Sequence, residues 1–509
     1  FLSSNIARQD IESIEFIKKS DLPTGVSNPI DITYDKTNNA NSVQLYSVLN
    51  NDTSKYKIYI ASDSGTVYLK SGYRLFENLI NMTALNLSNV DTSNVTNMML
   101  MFNYCQSLTS LDLSNFNTLN VIDMAGMFQW CTKLSSLNIS AFNTSKVTTM
   151  YAMFNRCYEL NELDISNFNT SNVTTMKIMF QGCTKLTLLN LSSFDTSKVT
   201  DMSYMFNRCY KLESVNVSSF NTSNVTTIAF MFSECYELNN LDVSNWNTSS
   251  VRSMYATFQS CNKLTSLDVS SWNTSKVTSM RLMFFQCYLL SGLDVSNFDT
   301  SNVTDMHGMF DNCKSLTTLD VGSFNTSKVT TMKGMFEGCE KLTSLDVSNF
   351  NTSKVTDMSY MFNKCKSLTS LNVSNFDTSN VIAMPWMFSE CYLLSDINLS
   401  SFNTSKVTNT QSMFCNCTTL TSLDISSFDT SNVTNMSYMF GGDNATMTLN
   451  KIYVSDKFVT TNVTDGSNMF KECNNLVGGN GTTFDSNNID KTYARIDSSS
   501  TLGYFTLKA

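Results

Sequence analysis

The chain has 509 residues, of which 42% are hydrophobic and only 15% are charged, and its formal net charge is −9. This acidic balance argues against nucleic acid as a partner, because phosphate binding needs a basic surface. No apolar run approaches the roughly 18 residues that a membrane-spanning helix needs, so we expect no membrane span in this chain.

The first part of the chain, residues 1–71, is predicted to form a β-rich N-terminal cap. Four segments alternate apolar and polar residues, which is typical of strands with one buried face. Their sequences are IESIEFI, VQLYSVL, YKIYIAS and GTVYLK. A degenerate first repeat then begins near Gly72.

From residue 72 to residue 475 the chain consists of tandem repeats. Cysteines recur every 26 residues from Cys105 to Cys417, so thirteen copies keep strict register. Such a period indicates a stacked array in which each copy buries its apolar face against its neighbours. Residues 476–509 abandon the pattern, and we predict a C-terminal cap there.

Two patterns coexist within one repeat, such as residues 351–376. The segment LTSLNVSNF alternates like a short strand. A second set of apolar residues lies before that segment and is predicted to face the core: Val355, Met358, Met361, Phe362 and Cys365. Their spacings of 3, 3, 1 and 3 residues predict about three turns of helix, capped by Thr352 or Ser353. The expected fold class is therefore α/β, a solenoid of about fourteen strand–turn–helix repeats.

The repeat phrase MFxxCxxLxxLDxS, joined to NFxTSxVTxM, closely resembles the BspA-type leucine-rich-repeat surface proteins of bacteria and some protists. Examples are MFNRCYELNELDISNFNTSNVTTM and MFDNCKSLTTLDVGSFNTSKVTTM. The resemblance implies a leucine-rich-repeat-like solenoid, an extracellular location at the cell surface, and a role in adhesion. That family shares no catalytic residues, so we expect no enzyme activity and no cofactor.

Reactive residue types have structural explanations in this pattern. Stacked cysteines would have parallel Cβ vectors, which disfavours disulfides, and a single histidine without any CxxC motif disfavours zinc. We therefore expect buried free thiols and no metal, with Cys415 the exposed exception. His307, the sole histidine, has no partner nucleophile at fixed spacing and is not expected to be catalytic.

Polar rows also recur once per repeat. An acidic row is predicted to be a solvated strand face, although weak cation binding there stays open: Asp112, Asn138, Asp164, Asn190 and the copies from Asp242 to Asp346. Two threonine rows, which begin at Thr144 and Thr148, raise an ice-binding alternative. The many Asn-x-Ser/Thr sequons are better explained by turn chemistry than by glycosylation.

Aromatic side chains are predicted on the face opposite the inward set. Exposed aromatics suggest a contact surface, and packing between neighbouring repeats is the alternative. The candidate binding residues are Tyr151, Tyr204, Phe230, Tyr255, Tyr360, Trp386 and Tyr438. We expect either an adhesion module that binds protein or glycan on another cell, or a self-associating subunit of a surface layer or extracellular fibre.

Overall fold

The computed structural model describes residues 6–33, 42–442 and 447–508. The chain forms two compact units, Phe1–Asp242 and Val243–Ala509. Each unit is built from tandem repeats, and each is described below by itself.

The first unit opens with a five-stranded sheet whose strand order is β2-β3-β4-β1-β6. The strands are β1 (Ile11–Lys18), β2 (Ile30–Asp31), β3 (Val43–Asn50), β4 (Lys55–Ser62) and β6 (Ala84–Asn86). The strands predicted near the N-terminus are therefore present, and β5 (Val67–Tyr68) lies in a separate pair with β7 (Val90–Asp91). Strand β6 belongs to the first repeat and pairs in parallel with β1, so the N-terminal sheet supplies the edge on which the repeats begin.

The predicted helix is wrong: no α-helix occurs among the described residues, which hold only short 3-10 turns outside the strands and β-turns. Tyr360 and Lys364 have φ angles of 61° and 60°, and a left-handed residue interrupts any right-handed helix. The amide of Met361 donates to Met358, three residues back. The amides of Tyr360 and Lys364 instead donate to Pro385 and Ser389 of the next repeat. The backbone amides therefore alternate in role along this segment: one closes a tight turn within its repeat, and the next donates to the following repeat.

The strands of the repeats are only two to four residues long. In the first unit they are β8 (Ser110–Asp112), β9 (Ser136–Asn138), β10 (Leu188–Asn190) and β11 (Ser214–Asn216). In the second they are β12 (Ser266–Leu267), β13 (Gly292–Leu293), β14 (Ser422–Asp424) and β15 (Lys451–Val454). Neighbouring repeats pair in parallel, both in these strands and through isolated bridges such as Asp305 with Thr331.

The inward rows predicted from the period do form the core. Val355, Met358, Phe362 and Cys365 are all fully buried. Phe362 stacks on the equivalent ring of each adjacent repeat, at centroid distances of 5.7 and 5.8 Å. Offset stacking at this distance adds about 0.5–1.5 kcal/mol to burial alone, so the aromatic column stabilises the contact between repeats.

The C-terminal segment closes the end of this core. Strand β16 (Phe505–Leu507) pairs in parallel with β15. The ring of Phe505 packs edge-on against Phe440 at 6.0 Å and against Phe458 at 4.9 Å. The aromatic column runs one ring further, since Phe470 stacks on Phe440 at 5.7 Å. It ends where the Tyr504 ring packs edge-on against Phe470 at 5.1 Å.

Candidate binding surface

Most repeats carry left-handed residues at two positions, four residues apart. L-residues other than Gly and Asn avoid this conformation at a cost of about 1–2 kcal/mol. We define the first left-handed positions as 74, 100, 126, 152, 178, 204, 230, 256, 282, 308, 334, 360, 386, 412, 438 and 468. The second left-handed positions are 78, 104, 130, 156, 182, 208, 234, 260, 286, 312, 338, 364, 390, 416 and 472.

The side chains at these positions vary far more than the core rows. Both sets include glycine and asparagine, which suit the backbone, yet they also hold bulky and charged types. At the first positions they range from Gly334 to Trp386, and at the second from Gly182 to Glu390. The variable chemistry of the repeat is thus concentrated where the backbone itself favours small residues.

The seven predicted aromatics lie at or beside the first left-handed positions. Five occupy such a position: Tyr204, Phe230, Tyr360, Trp386 and Tyr438. Tyr151 and Tyr255 immediately precede one, at Ala152 and Ala256. Tyr151 is 40% exposed, and the others are partly exposed.

Several of these aromatics also stack on neighbours. Tyr204 lies 4.6 Å from Phe230, and Tyr360 lies 6.1 Å from Trp386, with nearly parallel rings in both pairs. The Lys471 ammonium lies 5.6 Å above the ring of Tyr438. Contact between repeats and partial exposure therefore coexist in the same side chains.

A second aromatic cluster was not predicted. Tyr104 and Trp130 occupy second left-handed positions and stack at 5.2 Å. The Arg156 guanidinium lies over the Trp130 ring, 4.0 Å from its centroid. The signal that could have found them is their separation of one 26-residue period, four residues after Leu100 and Gly126, which occupy the first left-handed positions of the same repeats.

Next to this cluster the surface has a cleft of about 390 Å³. Arg156 and Arg208 border it on either side of Gly182, and Tyr158 and Tyr210 also line it. Its remaining lining residues are Gln181 and Thr184. All of these residues belong to the first unit.

The acidic row caps turns. The Asp164 carboxylate accepts hydrogen bonds from the Ser166 hydroxyl at 2.7 Å and from the Ser166 amide at 3.0 Å. These bonds lower the pKa of Asp164. Equivalent turns form at Asp112 and Asp346. The sequon residue Asn143 caps Ser145 in the same way, as the turn interpretation predicted.

The two threonine rows have different environments. Thr144 is 1% exposed, whereas Thr148 is exposed. The Thr144 hydroxyl donates to the carbonyl of Asn169 and accepts from its amide. A flat array of two exposed threonine ranks is therefore not formed, which removes the basis of the ice-binding alternative.

The ladder cysteines are buried free thiols, as predicted. The Cys183 thiol donates to the carbonyl of Phe154 at 3.2 Å, and burial raises its pKa to about 12. Cys415 corrects one expectation, because it is buried too, at 2% exposure. The equivalent positions of the two preceding repeats, Ser389 and Asn363, are buried as well.

His307 lies beside acidic and basic neighbours. Burial, followed by the charge of Arg281, lowers its pKa, and its backbone amide donates to the Asp305 carboxylate. Across the described parts of the chain, no three His, Cys, Asp or Glu side chains are grouped as metal ligands. Nor does that part of the chain contain a helix with the length and hydropathy of a membrane span.

Comparison with solved structures finds distant likenesses, among them two at 18% and 16% identity. The TLR13 chain of a TLR13–ssRNA13 complex is 18% identical with a TM-score of 0.24, over 76% of this chain and 66% of that one, just under two thirds. The functional domain of InlJ from Listeria monocytogenes, described as including a cysteine ladder, is 16% identical with a TM-score of 0.20, over 74% of this chain and 71% of that one. At these scores neither likeness carries a structural argument. No curated protein matches the chain.

A family model matches the repeats directly. It aligns with residues 70–188, 148–266, 176–292, 254–372, 283–396 and 393–502. These overlapping matches cover well over half of the chain and coincide with its tandem repeats. The chain therefore belongs to the family DUF285, described as a Mycoplasma protein of unknown function.

Proposed function

We propose that the chain is a non-catalytic recognition module of the leucine-rich-repeat type, displayed at a cell surface, which binds protein or glycan through its left-handed positions. One observation carries the proposal. Large aromatic and charged side chains occupy backbone positions that favour glycine or asparagine. The resemblance to BspA-type surface proteins supports the cellular location.

The fold gains little from large side chains at these positions. Gly308 and Gly334 occupy first left-handed positions in consecutive repeats, so the turn forms without a side chain. A residue such as Trp386 instead adds a left-handed cost of about 1–2 kcal/mol, against about 0.5–1.5 kcal/mol from its stacking on Tyr360. Side chains retained at a cost to stability are expected to serve contacts outside the chain.

The exposed parts of these aromatics suit an interface. Aromatic residues dominate the energy of interfaces, at about 2 kcal/mol or more for each hot spot. Their stacking in pairs restricts their rotamers before binding, which lowers the entropic cost of association. Tyr360 with Trp386, and Tyr204 with Phe230, are therefore the anchors that we propose.

A quadruple substitution tests the proposal: Tyr204, Tyr360, Trp386 and Tyr438 each changed to asparagine. Asparagine tolerates the left-handed conformation and already occupies position 468, so circular dichroism and melting temperature should change little. Binding of the labelled chain to a glycan array and to cultured-cell monolayers should fall at least tenfold, because hot-spot anchors are lost.

The control is Tyr68→Asn, which removes a tyrosine that is 55% exposed and lies outside the left-handed positions. It should bind like the unaltered chain. Normal binding by the quadruple variant would contradict the proposal. Sedimentation of the unaltered chain as large oligomers, lost in the quadruple variant, would instead favour the self-associating subunit.

A further inference from the structure

We propose that the cleft over Gly182 binds a sugar ring that carries a carboxylate, such as a uronic acid at the end of a glycan chain. The proposal rests on the proposed function in assigning recognition to left-handed positions, and it names a ligand class for one of them. Two columns of equivalent side chains from successive repeats form the site. Gly182 interrupts the charged column, and Thr184 in the same repeat interrupts the aromatic column.

The first column supplies the charge. Arg156 and Arg208 occupy second left-handed positions on either side of Gly182. Arg208 forms an ion pair with Glu234, with 3.1 Å between its Nε and a carboxylate oxygen. Within the described residues, Arg156 has no carboxylate at ion-pair distance, and its contact is the Trp130 ring, 4.0 Å away. The Arg156 guanidinium is thus held in place while its hydrogen-bond donors remain available for a carboxylate.

The second column sets the width of the cleft. Tyr158, Thr184 and Tyr210 stand in three consecutive repeats and line the same cleft. One repeat further along, Tyr236 stacks on Tyr210 at 5.0 Å, which shows how far apart rings in adjacent repeats lie. Tyr158 and Tyr210 are separated by two repeats, and Thr184 stands between them. The column therefore lacks one ring, and a ligand ring would fill that place at ordinary stacking distance.

Gly182 keeps the gap open. Its φ is +74°, and a Cβ added there would lie 3.3 Å from the Arg156 Cγ and 3.5 Å from the Tyr158 Cε1. Any side chain at this position would therefore project between the charged column and the aromatic column. Only glycine leaves that space for a ligand.

The local charge favours an anion although the chain is acidic overall. Glu159, the nearest acid in sequence to Tyr158, pairs with Lys185 at 2.5 Å. Glu234 is paired with Arg208. Arg156 consequently provides an uncompensated positive charge beside the cleft.

The polar lining favours a hydroxylated ring over an aromatic acid. Gln181 donates from Nε2 to Asn207 at 2.8 Å and keeps its side-chain oxygen for a ligand hydroxyl. The Thr184 hydroxyl donates to the Tyr158 carbonyl at 3.0 Å and can still accept a hydrogen bond. A carboxylate for Arg156, a ring between the tyrosines and hydroxyls for these acceptors together describe an acidic sugar.

Calorimetric titration of the purified full chain tests the site. The probes are sodium glucuronate, glucose, sodium benzoate and inorganic phosphate. Glucuronate should bind, and glucose should bind at least tenfold more weakly because it lacks the charge-assisted hydrogen bonds. Binding of benzoate or phosphate as tight as that of glucuronate would overturn the proposal, since it would indicate an aromatic-acid or simple anion site.

Two variants keep the test decisive. Gly182→Asn fills the gap with a residue type that occupies second left-handed positions elsewhere, at 312 and 416, and should abolish glucuronate binding. Arg156→Gln should weaken it about tenfold without changing the melting temperature. The control is Gly334→Asn, at a first left-handed position with φ +58° where the nearest contact of an added Cβ is also 3.3 Å, and this variant should bind normally.

Equal binding by Gly182→Asn and Gly334→Asn would refute the site. Because the titration uses a purified chain and a defined sugar, it does not depend on cell binding. Loss of the aromatic anchors in the quadruple variant should leave glucuronate binding intact, so failure of this inference and failure of the proposed function are distinguishable.

Discussion

Replacing Thr326 with valine should destabilise the stack far more than its small chemical change suggests. The Thr326 side chain is 1% exposed. Its hydroxyl donates to the carbonyl of Asn351 at 2.9 Å and accepts from the amide of the same residue at 2.7 Å. One hydroxyl thus satisfies both backbone groups of a residue in the next repeat.

The magnitude follows from what valine leaves behind. Valine keeps the volume, so no cavity forms, but the two backbone groups of Asn351 lose their partner. Both backbone groups are only partly buried, so each costs about 1 kcal/mol when it loses its partner, which is the low end of the range for buried groups, and burial of the new methyl group offsets part of that cost. We therefore expect a loss of about 1–2 kcal/mol in the free energy of unfolding.

Urea denaturation and hydrogen exchange at the Asn351 amide measure this effect. Exchange of that amide should accelerate by at least tenfold. The matched control is Thr330→Val, because Thr330 is exposed and its hydroxyl makes one bond to Thr304 at 3.2 Å. It should change stability by less than about 0.5 kcal/mol. Equal costs for both variants would refute the reasoning.

The buried acid, the thiols and the repeat length each make a separate prediction. Burial and the charge of Glu337 raise the pKa of Asp311 to about 8, so the native state holds a proton that the unfolded state loses above about pH 4. Stability should fall by about 2–4 kcal/mol between pH 5 and 8, and melting curves of Asp311→Asn should show a smaller fall; an unchanged one would contradict the assignment. Cys183 should resist a thiol reagent until the chain is unfolded, and prompt native labelling in mass spectrometry would contradict this. Deletion of 325–350 should leave a folded chain by circular dichroism, whereas deletion of half that segment should disrupt it; equal damage would contradict the repeat fold.

The period and the core rows could be predicted because they depend on residue type alone. Burial requires apolar side chains at the same place in each copy, so Phe362, Cys365 and Leu368 could be assigned to the core without knowledge of the backbone. Their complete burial confirms this. Alternation predicted the strands correctly in some copies, such as Ser110–Asp112 and Ser422–Asp424, but they are short, and residues 368–376 form no strand.

The helix could not be excluded by the same reasoning. Spacings of three residues return side chains to one face in a helix, but also in successive tight turns. The two differ in the sign of φ at Tyr360 and Lys364, and residues of these types do not normally indicate a left-handed backbone. The available signal lay in other copies, where Gly334 and Gly338 occupy the same two positions. The candidate surface consists of the side chains at the left-handed positions. Because a helix was predicted, the part of the surface formed by the second left-handed positions was not.

Substitution of Gly334 distinguishes a helix from a left-handed turn, because the two predict opposite signs for the change in the free energy of unfolding. In a helix, Gly334→Ala should stabilise the chain by about 1 kcal/mol. At the observed φ of +58°, it should instead destabilise by about 1–2 kcal/mol. An added Cβ would meet no atom closer than 3.3 Å, so backbone strain and not a steric clash sets the cost.

Gly292→Ala is the control for this change, because Gly292 does not have a positive φ and a Cβ there would meet nothing within 4 Å. The control should be neutral or stabilising by up to about 1 kcal/mol, through the lower entropy of the unfolded chain. Urea denaturation of both variants gives the two signs. If Gly334→Ala raised stability as much as Gly292→Ala, the left-handed turn would be wrong. The energetic argument for the aromatic residues at equivalent positions would then fail with it, because Tyr360 and Trp386 would carry no backbone cost that a function must explain.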